Sequence, residues 1–291
     1  MLLHLKSKDI DKQKWDTCIL QSINSLPYAL SWYLDIVHPN WEAIIYKDYE
    51  IVMPLPVKYK MGIPYLTIPK YIQQLGLFYS SIPEQSIVDT FLTYLEKAWY
   101  IKKPYHFNYH NRIFLPNYAL RTNLVLTMKE EYAVLKTKMQ YRARYTIRKA
   151  LSANTVEIIV TDDYQAIISI FQQSKHGEDI QYWNKESYNL LLELLNTYNK
   201  YFVVESYTAY NKDKEPISGI ILLHYYDRII LIFTGTNIEG REQKAMPLLI
   251  HHVLQKYASS NKIIDFEGSN DANLALFWKQ FGVVEQNYPV Q

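Results

Sequence analysis

A short run of cations without any acid, YRARYTIRKA at residues 141–150, is the part of this sequence best suited to bind an anion. Together with two lysines just upstream, it brings six cationic side chains into one segment. The six cations are Lys136, Lys138, Arg142, Arg144, Arg148 and Lys149. On a helix, Arg144 and Arg148 are four positions apart and share a face. Arginine is suited to bidentate contacts with phosphate or carboxylate, so the run predicts an anion site, the alternative being a solvated helix surface.

Several anionic ligands fit a basic patch this compact. They are a nucleotide diphosphate, a phospholipid-linked precursor and the acceptor end of a tRNA. Tyr141 and Tyr145 lie in the same run and could stack on bases. Aromatic side chains at such positions belong equally often to a protein core, so the sequence leaves both interpretations open.

Other catalytic chemistries lack their motifs in this sequence. It contains no H-E-x-x-H zinc motif, no G-x-x-x-x-G-K-[ST] phosphate loop and no G-x-S-x-G nucleophile elbow. His251 and His252 are adjacent, so on a helix they point to different faces and cannot share a metal. Cys18 lies in a helical pattern beside Trp15 and Ile19, which indicates a buried small residue rather than a nucleophile.

Length and composition bound the class of protein. The chain has 291 residues, of which 48% are hydrophobic and 21% charged, values typical of a globular protein with two domains. The net charge of +2 makes any basic site local, and a single cysteine excludes an internal disulfide or a thiolate metal cluster. The N-terminus lacks the apolar run of a signal peptide, and no stretch approaches the ~18 apolar residues of a membrane span. We therefore expect a cytoplasmic protein with no transmembrane segment.

The pattern of the second half predicts the element order β-α-α-β-β-β-α-β-α-β. It begins with the β-branched strand VEIIV at 156–160, and the second of the two following helices is capped by Asn184. Three strands come next, ending with RIILIFTGT at 228–236, and a long amphipathic helix follows at 241–258. A short buried strand, a helix ended by Gly282 and a last strand complete the order.

The first half repeats this order nearly completely, with its own long helix beginning at Pro83. The repeat is one of architecture rather than of residues. It predicts an α/β chain, more narrowly α+β, made of two similar units whose mixed central sheets are flanked by helices. We place the N-terminal domain at 1–138 and the C-terminal domain at 139–291, and the last strand could pack back toward the first domain.

Short motifs in a fixed order carry a resemblance to a known family. Residues 144–150 read R-x-x-I-R-K-A, and the strand V-E-I follows at 156–158. Residues 265–269 read D-F-E-G-S, and F-W-K-Q-F-G follows at 277–282. Looser matches in the first half are Ser31-Trp32-Tyr33 and Gln73-Gln74-Leu75-Gly76. In this order they resemble the FemAB family, the non-ribosomal aminoacyl transferases of cell-wall synthesis with two GNAT-like acyltransferase domains in tandem, and its acyltransferase relatives.

The sequence departs from the family pattern at two places. Trp278 splits the Phe-Lys pair of the closing motif. Coenzyme A users of this fold usually carry a glycine-rich pyrophosphate loop between the fourth strand and the long helix, where this chain reads R-E-Q-K-A-M at 241–246. Without glycines, backbone N–H groups cannot approach a diphosphate as closely, and Glu242 adds a negative charge there. The departure counts against acetyl-CoA as the donor, although the same loop is degenerate in the FemAB family.

The resemblance implies where the acyl donor and the base lie. The fourth strand would lie beside the acyl donor, with Thr234 and Thr236 at its end and with Gly235 allowing close backbone approach. The alternative is that these residues form only a turn. Glu267 follows the fifth strand, faces the same cleft by analogy and is the predicted general base, unless it is a helix cap.

Further substrate-binding residues follow from the motifs or from position. Lys279 in the closing motif would neutralise a phosphate or carboxylate, unless it is a surface lysine with a buried stem. Ser269 closes the D-F-E-G-S motif. The remaining predicted contacts are Tyr33, Lys58 and Tyr109 in the first domain and Arg144 and Arg148 in the basic run.

The resemblance therefore predicts an N-acyltransferase that transfers an aminoacyl or acyl group to an amine of a cell-envelope precursor or related acceptor. No metal or other cofactor is expected, and the donor would be aminoacyl-tRNA or acyl-CoA. The partners would be an anionic small-molecule or precursor substrate and, with the first donor, the acceptor end of a tRNA. The alternatives are an acetyl-CoA-dependent GNAT N-acetyltransferase and a catalytically inactive binding protein that keeps the tandem fold.

Overall fold

The computed structural model describes residues 2–98, 100, 104–174, 183–268 and 272–291. The chain divides into two compact units: the first consists of Met1–Thr122 with Asn287–Gln291, and the second of Asn123–Gln286. Among the described residues, no helix combines the length and apolar character that crossing a membrane requires.

The first unit contains an antiparallel sheet, a separate hairpin and flanking helices. Its elements in chain order are β1 (Leu2–Lys6), α1 (Lys12–Gln21), α2 (Ser31–Val37), β2 (Glu42–Tyr46), β3 (Ile51–Leu55), β4 (Val57–Lys60), β5 (Ile63–Leu66), β6 (Phe78–Tyr79), α3 (Gln85–Lys97) and β7 (Ala119–Arg121). The sheet has the order β1-β2-β3-β6, and β4 and β5 form a two-stranded sheet of their own.

Buried aromatic and amide side chains hold the first unit together. Trp15 of α1 and Trp41 are both fully buried, with ring centroids 4.8 Å apart. Gly76 has a φ of +102°, and a side chain there would overlap the amide oxygen of Asn111 at 2.1 Å. That oxygen accepts a hydrogen bond of 2.9 Å from the N–H of Leu77. The Q-Q-L-G motif of the sequence therefore forms a tightly packed turn, where only glycine fits.

The second unit is built on a seven-stranded sheet. Its elements in chain order are β8 (Leu124–Thr127), α4 (Tyr132–Lys138), α5 (Tyr141–Ala153), β9 (Glu157–Val160), α6 (Tyr164–Gln172), α7 (Lys185–Tyr198), β10 (Val203–Tyr210), β11 (Pro216–Tyr225), β12 (Arg228–Thr236), α8 (Ile238–Glu242), α9 (Ala245–Tyr257), β13 (Ile263–Asp265), α10 (Ala272–Lys279) and β14 (Val284–Glu285). The strand order is β14-β8-β13-β12-β11-β10-β9, and the β12–β13 pair is parallel whereas the other pairs are antiparallel.

Helices cover both faces of this sheet. On one face, α6 packs against β11 and β12. On the other, α9 packs on β10 and β11 and α5 packs on α9, and their apolar side chains share one core cluster with the strands. Mixed sheets covered by helices on both faces are therefore observed in the second unit, as the element order predicted.

The units divide at residue 122, whereas the sequence pattern placed the boundary at 138. The physical reason is β8, which pairs with both β13 and β14 and so belongs to the sheet of the second unit. Pairing of this kind joins residues far apart in the chain, and a four-residue strand does not reveal which sheet it joins. At the other end of the chain, β15 (Tyr288–Val290) pairs with β7 within the first unit.

Gly235 allows α6 to lie close against β12. A Cβ atom at this position would be 2.8 Å from the carbonyl oxygen of Ile167 and 2.8 Å from the backbone nitrogen of Phe171. The sequence prediction assigned this glycine to the approach of a ligand. In the structure, the close neighbour is the backbone of α6, so the glycine is required for packing.

We expect Gly235→Ala to lower the free energy of unfolding by about 1–3 kcal/mol, because the new methyl group meets backbone atoms that cannot rotate away. Urea denaturation followed by circular dichroism measures the change. A stability equal to that of the parent protein would show that α6 has room to move away from β12.

Candidate active site

The C-terminal part of β12 has one unpaired edge. β12 and β13 pair only over Arg228–Ile230 and Ile263–Asp265. Beyond Ile230, no strand in the described part of the chain pairs with this edge, although β12 continues to Thr236. We call residues 231–236 the open edge. Because backbone groups of a strand alternate in direction, the open edge presents N–H and C=O groups that can bind a ligand.

A buried carboxylate ends β13 and so creates the open edge. Asp265 is 2% exposed and accepts a hydrogen bond from Arg228, which is 6% exposed. Its other oxygen, Oδ1, accepts a bond of 2.9 Å from the N–H of Glu267, whose φ is +47°. An aspartate that binds the N–H two residues ahead forms a turn, and a residue with positive φ bends the chain out of a strand. The chain therefore leaves β12 directly after Asp265.

A β-bulge sets which side chains of the open edge face which helices. The β11–β12 register passes from the pair Leu222–Leu231 to the pair Ile221–Phe233, so Ile232 is the extra residue. Beyond the bulge, Phe233 lies with its ring centroid 4.9 Å from that of Phe171 in α6. Alternation along the strand then places Thr234 and Thr236 on the opposite face, which α5 and α9 cover.

The two predicted threonines differ in what they can offer a ligand. The hydroxyl of Thr236 lies 2.8 Å from that of Ser218, and the Ser218 hydroxyl donates to the carbonyl oxygen of Gly235 at 3.0 Å. The Thr236 proton is therefore directed at Ser218, and only its lone pairs remain to accept a bond. The Thr234 side chain is partly exposed and forms no hydrogen bond within the described residues, so it is the better placed to contact a ligand.

The predicted base follows β13 at the point where the open edge begins. β13 ends at Asp265, which pairs with Ile230, and Glu267 comes two residues later in a partly buried position. Thr234 and Thr236 lie four and six residues beyond Ile230 along β12, and the role of Glu267 as base stays a prediction. Lys279 is exposed at the end of α10, where it forms an ion pair of 2.7 Å with Glu285. Ser269 lies outside the described residues.

The basic run forms helix α5. Its buried positions Ala143, Ile147 and Ala150 recur at helical spacing and lie against the core. The helix ends at Asn154, which has a left-handed φ of 48°, a conformation that asparagine tolerates at a helix C-terminus. All residues of the helix belong to the second unit.

The outward face of α5 combines unpaired cations with exposed aromatic rings. Within the described residues no ion pair involves the arginines or the lysine of this helix. Arg148 is exposed and lies 5.6 Å from the ring centroid of Tyr145, and Arg144 is half-buried. Tyr141 and Tyr145 are 69% and 44% exposed and stack with centroids 6.0 Å apart. The interpretation of these tyrosines as core residues is wrong, because the helix turns them to solvent.

The segment that follows β12 uses most of its own N–H groups. The N–H of Gly240 donates to the Asn237 side chain at 2.9 Å, and that of Gln243 donates to the Glu239 carbonyl oxygen at 2.8 Å. The N–H of Lys244 bonds within the same turn. Since a pyrophosphate loop works by leaving N–H groups free for the ligand, α8 has little capacity to hold a diphosphate.

The predicted contacts in the first unit lie on different elements. Tyr33 in α2 is fully buried, and its hydroxyl donates to the carbonyl oxygen of Tyr71, which favours a packing role. Lys58 is exposed on β4. Tyr109 is half-buried in the segment that follows α3, and its N–H donates to Oε1 of Gln74 at 2.9 Å.

A buried acid that the sequence interpretation missed lies on β10 of the second unit, in register with Leu231 through Leu222. Glu205 in β10 is 8% exposed and accepts hydrogen bonds from four side chains. The donors are Tyr207, His224, Lys256 and Tyr257. They come from β10, β11 and the last turn of α9, so the carboxylate ties the end of α9 to the sheet. The sequence signal was a lone acid within an apolar strand.

An open cavity of about 600 Å³ adjoins this carboxylate. Its lining includes Asp162 and Tyr164 of the α6 start, the exposed Val203, and the network residues His224 and Lys256. Burial alone would raise the pKa of Glu205, but hydrogen bonds from His224, Lys256 and the two tyrosine hydroxyls lower it well below its usual range. Burial, together with the hydrogen bond to the same carboxylate, raises the pKa of Tyr207 to about 12.

Comparison with known proteins agrees with this geometry. Residues 137–272 match the family model of the GNAT acetyltransferase domain. The fold is similar to FemX, with a TM-score of 0.63 and 12% identity over 99% of this chain and 96% of that one. It is also similar to a tandem GNAT protein from the clavulanic acid biosynthesis pathway, with a TM-score of 0.55 and 9% identity over 100% and 97% of the two chains.

L-PGS from Bacillus licheniformis is similar at a TM-score of 0.55 and 9% identity, over 96% of this chain and 91% of that one. No curated protein matches the sequence. The chain therefore has the fold of these tandem GNAT proteins, and residues 137–272 match the GNAT domain. The resemblance that the sequence motifs indicated is confirmed at the level of fold.

We expect Glu205→Gln to lower the free energy of unfolding at neutral pH by about 2 kcal/mol, because charge-assisted hydrogen bonds from four donors are weakened. The folded-state pKa of Glu205 lies below the unfolded value of about 4.3, so its contribution is present above that pH and is lost as the pH falls. The parent protein and the variant should therefore converge in stability in acid.

Glu215→Gln is the matched control, since Glu215 is exposed in the same unit, and it should change stability by less than about 0.5 kcal/mol. Urea unfolding at neutral and acidic pH measures both variants. A Glu205→Gln deficit that stays constant with pH would contradict the assigned ionisation.

Proposed function

We propose that this chain is an acyltransferase that moves an aminoacyl or other acyl group from an activated donor to a primary amine of a cell-envelope precursor or a related acceptor. The observation that carries the proposal is the open edge at 231–236, which includes Thr234. The face that Thr234 shares is covered by α5 and α9, and α5 carries unpaired cations. The GNAT match over 137–272 supports the same class of reaction.

The open edge can stabilise the charge that develops during acyl transfer. The amine nitrogen attacks the acyl carbon, and the carbonyl oxygen becomes negative in the tetrahedral intermediate. An N–H group on the open edge would donate to that oxygen, since no strand in the described residues uses it. The intermediate then collapses, the bond from the acyl carbon to the leaving oxygen or sulfur breaks, and the amide is formed.

The amine must be neutral when it attacks, so a base must take one proton. Glu267 is the proposed base, because it follows β13 at the point where the open edge begins. The proton passes from the amine nitrogen to the Glu267 carboxylate and afterwards to the leaving group, so the transfer needs no external acid.

The donor that the site favours is an aminoacyl ester on RNA rather than acetyl-CoA. Helix α8 uses its N–H groups internally, as Gly240 and Gln243 show, and this leaves little to bind a diphosphate. The cations and the stacked tyrosines of α5 are suited to phosphates and bases of a single strand. The FemAB resemblance of the sequence points to the same donor class. Acetyl-CoA remains the second candidate, favoured by the acetyltransferase description of the matching domain.

Thermal unfolding with each donor distinguishes the candidates. A minihelix RNA carrying an aminoacyl group in a stable amide link at its 3′ end should raise the Tm, whereas acetyl-CoA should not, because only a ligand of the folded state stabilises it. A shift with acetyl-CoA alone would support the N-acetyltransferase. Absence of a Tm shift with either donor would contradict both the aminoacyl-transferase and the N-acetyltransferase hypotheses. It would support a binding protein that keeps the fold.

We expect Arg144→Ala together with Arg148→Ala to weaken minihelix binding by about tenfold or more while leaving the Tm of the free protein unchanged, since each charged hydrogen bond contributes about 1.5–3 kcal/mol. Fluorescence anisotropy measures the Kd. Arg112→Ala with Arg121→Ala, which removes two exposed arginines from the first unit, is the matched control. Equal affinity of the α5 variant and the control would exclude α5 as the donor site.

Glu267→Gln should lower kcat by about 10²–10⁴-fold, because the amide cannot accept the proton. Donor binding should stay within about twofold of the parent protein, since the base acts on the amine rather than on the donor. Single-turnover transfer of a labelled acyl group to an amine acceptor, read beside the donor Kd, measures both effects. Full activity in the variant would assign the base to another group.

A further inference from the structure

The hairpin β4–β5 of the first unit presents a tip that the fold of that unit does not cover. The two strands form a sheet of their own. Met61 and Gly62 form the turn with φ values of +51° and +78°, the backbone of a tight two-residue hairpin loop. The side chain of Met61 is 94% exposed. A large apolar side chain is thus held at the end of an ordered arm.

The register of the hairpin divides its side chains between two faces. On one face Val57 pairs with Leu66, and both are buried. Tyr59 shares that face, and its hydroxyl donates at 2.7 Å to Glu42, a buried residue of β2. This face therefore anchors the hairpin to the first unit.

The opposite face carries cations and apolar side chains together. Lys58 pairs with Tyr65, and Lys60 pairs with Ile63. Both lysines are exposed, and Ile63 and Tyr65 are half exposed. With Met61 they form one continuous surface, which we call the hairpin face (Lys58, Lys60, Met61, Ile63 and Tyr65).

The segment that contains the hairpin carries charge of one sign. Residues 51–83 contain three lysines and neither aspartate nor glutamate. No ion pair involves Lys58 or Lys60 within the described residues. A surface that joins uncompensated lysines to an apolar tip matches a partner that is anionic at its surface and apolar beneath it.

We propose that the hairpin face docks on an anionic lipid surface, with Met61 entering the boundary between head groups and acyl chains. Lys58 and Lys60 would extend their amino groups to lipid phosphates, and Tyr65 would lie at head-group level, where tyrosine is enriched in membrane proteins. A nucleic acid fits this face less well, because its exposed tip is a thioether rather than a planar ring and its cations are lysines rather than arginines. The inference goes beyond the proposed acyl transfer and does not depend on it.

Vesicle sedimentation tests the proposal with the full-length chain. The protein should bind vesicles of phosphatidylcholine mixed with phosphatidylglycerol and should bind vesicles of phosphatidylcholine alone at least tenfold more weakly. Raising the salt concentration should release it, since lysine contacts at a membrane surface are screened. Equal binding to both kinds of vesicle, or binding to neither, would overturn the proposal.

Variants locate the contact. Lys60→Glu with Met61→Asp should reduce binding to the mixed vesicles at least tenfold without lowering the Tm, because both side chains are exposed. Lys97→Glu with Ile82→Asp makes the same chemical change at exposed positions of the same unit and should bind as the parent does. Arg144→Ala with Arg148→Ala should also keep vesicle binding, which separates this surface from the donor site. Undiminished binding by the hairpin variant would place the contact elsewhere and refute the proposal.

Discussion

The buried ion pair between Arg228 and Asp265 determines the shape of the candidate active site. Arg228 also donates to Gln286 at 3.0 Å, so the pair joins β12, β13 and the segment after β14. Taking two charges out of water is costly unless both are hydrogen-bonded, and here each has more than one partner. The arrangement fixes where β13 ends and therefore where β12 loses a neighbour. Without that ending, a continuous parallel pair would cover the N–H groups proposed to act in acyl transfer.

The backbone of β12 and the carboxylate of Glu205 use their polar groups differently. Over 231–236 the edge of β12 has no partner strand within the described residues. The Glu205 carboxylate lies on β10 in register with Leu231 and is saturated by four donors, so it stabilises the position of α9 rather than serving a ligand directly. Two of the donors, Lys256 and Tyr257, lie at the end of α9, so the carboxylate fixes that end of the helix on the sheet.

The sequence was sufficient to predict the features that are local in the chain. The basic run at 141–150 lies on a helix, α5, as both of its interpretations assumed, and Asn184 caps α7 as expected. The motif order was sufficient for the fold, because it reflects the order of the elements. The packing role of Gly235 could not be predicted, because the α6 backbone that it contacts is distant in the chain.

Features that depend on pairing between distant segments could not be predicted from the sequence, for the same reason. The membership of β8 in the second sheet depends on β13 and β14, which lie far along the chain. The Glu205 network gathers donors up to 52 residues away, and only the odd position of an acid in an apolar strand hinted at it. Of the predicted site residues, Thr234 and Thr236 lie on the open edge and Glu267 follows the strand whose end begins that edge, whereas Tyr33 is buried in the first unit.

Hydrogen–deuterium exchange with and without donor tests the central claim most directly, because it reports on the open edge itself. Addition of the aminoacyl minihelix should slow exchange at the amides of residues 231–236 and leave those of residues 203 and 204, which are in register with Ile229 and Ile230 before the open edge, unchanged. Donor binding that leaves exchange at 231–236 as fast as in the free protein would contradict the account, because the acyl group would then be held away from β12.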